Sequence, residues 1–169
     1  MGISMTLYLD MDGVIADFFS LLAKENNVTH WKSIKDKELA LVKVRNTDFF
    51  NKIDKFDSAI TLIDYARTLD GWGICSSPLR GDRDNSAYWK RVWLQRHGWM
   101  PEVENCIFTS NKHKYAINRL TGEPNILVDD KQDNIIRWGA AGGIGIRYQA
   151  DEDDVCDLID NIKVALNDV

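Results

Sequence analysis

The chain has 169 residues, 44% hydrophobic and 28% charged, with a formal net charge of −5 at pH 7. That length and composition indicate one globular domain, with or without a small insertion, large enough to bury a core without covalent staples. The acidic balance speaks against a long footprint on nucleic acid, which needs a basic stripe, but leaves room for a local basic site that holds one phosphate.

Thr6–Asp10 is the first apolar run and reads as a buried strand. It ends in Asp10-Met11-Asp12-Gly13, two carboxylates followed by a glycine that suits a sharp turn. Carboxylates are costly to bury without a metal or a cationic partner, so a strand that ends in two of them marks a candidate site. The segment from Phe18 to Phe56 carries no clear strand. It places lysines between apolar residues, with Phe18, Phe19, Trp31, Phe49 and Phe50 as its large groups, and reads as a helical insertion. Most of these aromatics are expected to form its own small core. Ser58–Leu69 then sets Ala59, Leu62, Ile63 and Ala66 on one helical face.

Strand candidates follow at Gly73–Ser76, Cys106–Thr109, Asn125–Asp129 and Gly143–Arg147. Asn85–His97 is helical in composition and clusters Tyr88, Trp89, Val92 and Trp93. Asp153–Leu166 is amphipathic, and Asp151–Asp154 is expected to start that helix, where acidic groups suit the positive end of the dipole. Strands alternating with helices predict a parallel α/β sheet with helices on both faces. Ligands bind such sheets beyond the carboxyl ends of the strands. Asp10, Ser76, Thr109 and Asp129 all fall at that end. Cys75, Cys106 and Cys156 are widely spaced and odd in number, which argues against a disulfide framework. No signal peptide or membrane span is expected, and a cytoplasmic setting is.

Four pieces therefore gather at strand ends: Asp10 and Asp12, Ser76 and Ser77, Lys112, and Asp129 with Asp130. Each has an ordinary reading as a turn, cap or surface residue. Together they meet the needs of phosphoryl transfer. An ionised nucleophile must approach a dianionic ester, which is repulsive unless a cation such as magnesium intervenes. A lysine and a hydroxyl would hold phosphate oxygens, and a second carboxyl would handle the proton.

These pieces resemble the four motifs of the haloacid dehalogenase (HAD) superfamily of phosphohydrolases. The segment after the first motif resembles that superfamily's helical cap. Within the superfamily the chain is most similar to 5'(3')-deoxyribonucleotidases and their phage and bacterial relatives. The runs Asp10 to Phe18, Ser76-Ser77-Pro78, Lys112 to Ala116 and Leu127 to Asp130 carry the likeness, with Trp138 and Gly142-Gly143. The resemblance implies a Rossmann-like three-layer α/β/α fold, with a core of 1–17 and 57–169 and a small cap of 18–56.

It also implies roles. Asp10 would be the nucleophile and Asp12 the general acid and base, with its main-chain carbonyl on Mg²⁺. Ser76 would bind phosphate with Ser77 beside it, and Lys112 would neutralise phosphate and nucleophile, with Lys114 as its competitor. Asp130 would be the acidic metal ligand, with Asp129 as alternative or support. Phe18, Phe49 or Phe50 would stack on a base. Two departures stand out. Ser76 replaces a frequent threonine, and Ser110 and Asn111 stand where nucleotidases carry an arginine before the lysine.

The implied activity is a Mg²⁺-dependent phosphatase of nucleoside monophosphates, deoxyribonucleotides foremost, working through an aspartyl-phosphate. A polynucleotide 3'-phosphatase, another small-metabolite phosphatase, and a non-catalytic nucleotide- or protein-binding relative stand as alternatives. The expected partner is a small phosphomonoester, with no membrane and no extended nucleic acid. A homodimer is left open.

Overall fold

The computed structural model describes residues 5–167. The expected core limits, 1–17 and 57–169, therefore include a few terminal residues outside the described range. Five parallel strands form one sheet: β1 (Leu7–Leu9), β2 (Trp72–Ser76), β3 (Cys106–Phe108), β4 (Ile126–Asp129) and β5 (Ile144–Arg147), in the order β3-β2-β1-β4-β5. The α/β parallel architecture expected from the alternation is the one observed. β1 is the central strand, and Leu7 and Leu9 on one face and Tyr8 on the other are all buried. Strands buried on both faces carry continuous apolar runs rather than alternating ones, which is why these short segments are legible in the sequence.

The strands alternate between two cores. Leu7, Leu9, Ile74, Ile126 and Val128 pack with Ala59, Leu62, Ile63 and Ala66 of α3 (Ser58–Ala66). Trp93 and Leu94 of α4 (Arg83–His97) join the same core, as do Leu158 and Ile162 of α6 (Val155–Ala165). Tyr8, Cys75, Ile107 and Leu127 face the other way, onto Trp138 of α5 (Gln132–Ala140). Trp138 is fully buried, donates its indole N–H to the Asn125 carbonyl at 3.0 Å, and leaves no room for a Cβ at Gly143. The helix caps are local: Asp154 accepts from the Cys156 N–H at 2.7 Å to start α6, and Gly98, at φ +71°, ends α4 in the left-handed conformation.

Between β1 and α3 the chain is helical. It forms α1 (Phe18–Glu25), α2 (Lys37–Lys43) and 3₁₀ turns at Trp31–Ser33 and Phe49–Asn51. Its two ends are pinned to each other. The Asp17 N–H donates to the Asp54 carbonyl at 2.8 Å and the Phe56 N–H donates to the Ile15 carbonyl at 3.0 Å. The far half is tied to α4, because the Trp93 indole donates to the Ile53 carbonyl at 2.7 Å and the Asn46 N–H donates to Asp82 at 3.0 Å.

The buried stripe of α4 differs from the aromatic cluster its sequence suggests. Ser86, Ala87, Lys90, Trp93 and Leu94 face inward, whereas Tyr88 is exposed. A helix buries residues three and four apart, and adjacent aromatics cannot share one face.

Candidate active site

From β1 the chain steps to β2 and β3 on one side and to β4 and β5 on the other. The crevice at such a reversal is where open α/β sheets hold ligands. Asp10 leaves β1 at this point, with its N–H on the Val128 carbonyl at 2.9 Å. The next residues wind into a tight loop, in which the Val14, Ile15 and Ala16 N–H groups all donate to the Met11 carbonyl. Gly13 holds φ +83°, and a Cβ there would collide with the Asp130 carboxylate. The loop is thus shaped to bring Asp130 of the β4 end against Asp10 and Asp12 of the β1 end.

Lys112 reaches in from the 3₁₀ turn Lys112–Tyr115 that follows β3. Its ammonium lies 3.0 Å from Asp10 Oδ1 and 2.7 Å from Asp129 Oδ2, with the side chain 3% exposed. Burial by itself would lower the Lys112 pKa, but Asp10 and Asp129 outweigh it and raise it, so the ammonium stays charged. Lys114, the competing lysine, is exposed.

Asp129 is fully buried and has both oxygens engaged. Oδ1 accepts from the Lys131 N–H at 2.9 Å, and Oδ2 accepts from Lys112 and from Asn134 at 3.0 Å. Asp130 lines the open cavity instead. Burial, then the charges of Asp10 and Asp129, push Asp130 up to about 9; burial and Asp10 raise Asp129 as well.

Four carboxyls (Asp10, Asp12, Asp129 and Asp130) thus meet two ammonium groups, Lys112 and Lys90. Oxygens of Asp10, Asp129 and Asp130 lie within 4.8 Å of one another. This donor set is hard, anionic and undercompensated, which fits a divalent cation of the magnesium type.

Lys90 is the site residue that sequence reasoning missed. It is 1% exposed and donates to Asp12 Oδ2 at 3.0 Å, Ser76 Oγ at 2.8 Å and the Ser77 carbonyl at 2.8 Å. Its ammonium also sits 4.9 Å from the centre of the Phe50 ring. A signal was available: a lysine at the i+3 and i+4 positions from Ala87 and Ser86, on the stripe shared with Trp93 and Leu94, is a lysine forced into a core. Asp12 Oδ1, by contrast, has no hydrogen-bond partner, and it is the one buried side-chain oxygen so left among the described residues. Burial raises the Asp12 pKa, against the pull of Lys90.

The remaining expected residues separate. Ser76 is fully buried, its hydroxyl accepting from Lys90, while Ser77 lines the cavity. Phe18 and Phe50 line the cavity, stacked with ring centres 5.9 Å apart. Phe49 does not line it. It is fully buried behind them, edge-on to Phe18 at 5.6 Å and to Phe50 at 5.4 Å. Neighbouring residues in a tight turn point in different directions, so Phe50 takes the wall and Phe49 the core. The cavity holds about 890 Å³, with Asp10, Asp12, Asp130 and Ser77 in its lining and Phe18, Phe19, Trp31 and Phe50 as an aromatic wall. That volume lies within the range of small-molecule sites.

No family model and no curated protein matches the chain. Solved structures do. A HAD-superfamily hydrolase of subfamily IA from Geobacter sulfurreducens superposes with a TM-score of 0.62 at 11% identity, over 94% of this chain and 96% of that one. A HAD-family hydrolase from Deinococcus radiodurans, solved with phosphate and sodium, gives 0.57 at 13% identity over 96% of both. A putative HAD hydrolase from Bacillus subtilis bound to magnesium gives 0.57 at 13% over 89% of both. The fold is HAD-like. At such identities the likeness is one of architecture, and the chemistry must be argued from the side chains.

Proposed function

We propose that the protein is a magnesium-dependent phosphatase of nucleoside monophosphates, with deoxyribonucleotides as the favoured class. The observation that carries this reading is the Asp10 carboxylate, 3.0 Å from Lys112 in the lining of a large cavity with an aromatic wall. Residues 18–56 act as a small cap over the core, and their aromatic wall offers a base a stacking surface. Asp10 and Asp130 would hold the metal, with the Asp12 main-chain carbonyl, and Asp129 would support them through Lys112. When bound, magnesium supplies positive charge between nucleophile and phosphate.

Asp10 attacks phosphorus, the bond from phosphorus to the leaving oxygen breaks, and Asp12 gives that oxygen its proton. Water, giving its proton to Asp12, then cleaves the aspartyl-phosphate, releasing inorganic phosphate and free Asp10. Lys112 spends two N–H groups on carboxylates, and its third is available to a phosphate oxygen. Ser77 lies at the cavity; Ser76 stands behind it and keeps its own O–H to donate.

The test is hydrolysis by wild type and Asp10→Asn with magnesium. The panel holds ribo- and deoxyribonucleotides with 5' or 3' phosphate, sugar phosphates and 3'-phosphorylated oligonucleotides. Wild type should favour mononucleotides in kcat/KM, and the variant should melt normally yet lose turnover. Full activity in Asp10→Asn would remove the mechanism. Preference for an oligonucleotide or sugar phosphate would remove the substrate, and a vanishing rate on the whole panel would favour a non-catalytic relative.

A further inference from the structure

Lys90 has three N–H groups and all three are used: on Asp12 Oδ2, on Ser76 Oγ and on the Ser77 carbonyl. With its donors spent and 1% of its surface exposed, it has nothing left for a substrate phosphate. This distinguishes it from Lys112. Its effect on Asp12 is asymmetric, because one carboxylate oxygen is anchored and the other, Oδ1, is left without a partner. A carboxyl free to rotate would exchange its two oxygens; one clamped through Oδ2 cannot. The same ammonium ties Asp12, from the loop after β1, to the start of the loop after β2, and packs on Phe50 of the helical segment.

We propose that Lys90 is the positioning residue of Asp12: by clamping Oδ2 it fixes the orientation in which the carboxyl meets the leaving oxygen. The inference rests on the phosphatase reading above. The Asp12 carboxyl carries the proton to the leaving alkoxide as the phosphorus bond breaks, while Lys90 holds that carboxyl in place. Lys90 does not touch the reacting atoms.

The experiment uses leaving groups of different need. An alkyl phosphate, such as a nucleoside monophosphate, must have its leaving oxygen protonated; p-nitrophenyl phosphate leaves as a stable phenolate without help. The quantity to compare is kcat/KM, which covers the steps through transfer to Asp10 and excludes the later attack of water. In Lys90→Met, kcat/KM for the alkyl ester should fall ~100-fold, the scale of a misplaced catalytic group, and for the nitrophenyl ester less than about tenfold. Equal losses on both esters, or no loss on either, would overturn the proposal.

A wild-type enzyme inactive on both esters would instead remove the phosphatase reading itself. Should Lys90→Met not fold, the double variant Asp12→Asn with Lys90→Met, in which both partners of the buried pair are neutral, is compared with Asp12→Asn. Equal alkyl-ester rates support action through Asp12; a further fall of about tenfold or more overturns it, since residues acting as one unit are non-additive.

Discussion

Lys112→Met tests the electrostatic frame of the site most directly. Methionine keeps the length of the side chain and removes the charge. In the structure the ammonium lies 3.0 Å from Asp10 and 2.7 Å from Asp129, and none of the three side chains is more than 8% exposed. At an effective dielectric of ~20 each contact is worth ~5–6 kcal/mol in Coulomb energy, largely offset by the cost of burying the ions. Removing one partner keeps the desolvation cost of the others, which makes the net loss ~3–5 kcal/mol. For a chain of this size that corresponds to a fall in Tm of ~6–20 °C. The assay is thermal denaturation by circular dichroism with EDTA at pH 8. At lower pH the fall should be smaller, because the raised pKa of Asp129 favours protonation, which relieves the Asp129 carboxylate left without its cation. Magnesium should restore part of the loss at pH 8. A Tm within ~3 °C of wild type in EDTA at pH 8 would refute the idea that Lys112 compensates a buried anionic pair.

Two further outcomes concern the metal. Asp130 is held at about 9 against an ordinary 3.8, so its protonated form favours the folded state. That contribution is complete below pH 3.8 and is lost as pH rises through about 9. A divalent ion takes the place of the proton, so the rise in Tm on adding magnesium should be larger at pH 8 than at pH 6, and an equal or reversed dependence would contradict this. Gly13→Ala imposes a side chain at φ +83° and drives a methyl into the Asp130 carboxylate. It should cost ~1–2 kcal/mol from backbone strain alone and abolish the magnesium-induced rise; a wild-type magnesium titration in this variant would show that Asp130 is not held through that contact.

Much of the architecture is legible along the chain, for a local reason. The inner strands are short apolar runs with both faces buried, as Leu7–Leu9 and Ile126–Val128 show, while the edge strands β3 and β5 are only partly buried. The ends where carboxylates interrupt these runs mark the reactive edge, so Asp10, Lys112 and Asp130 can be picked out as one constellation. What could not be read is which atoms of that constellation are free. Asp129 and Asp130 are adjacent and chemically identical, and only the packing of Asn134, Lys131 and Lys112 around Asp129 separates their environments. Ser76 and Ser77 divide in the same way, and so do Phe49 and Phe50.

The sequence by itself determined the parallel α/β fold, the acidic end of β1 and a helical segment after it, because periodicity and the cost of burying charge act over a few residues. The tertiary structure alone decided that Lys90, 78 residues from Asp12, would clamp one oxygen of that carboxylate and leave the other buried without a partner. A lysine on a helix is ordinarily a solvated group. It becomes part of a site only when the crossover from β2 to β3 lays α4 over the crevice, and no local pattern encodes that meeting.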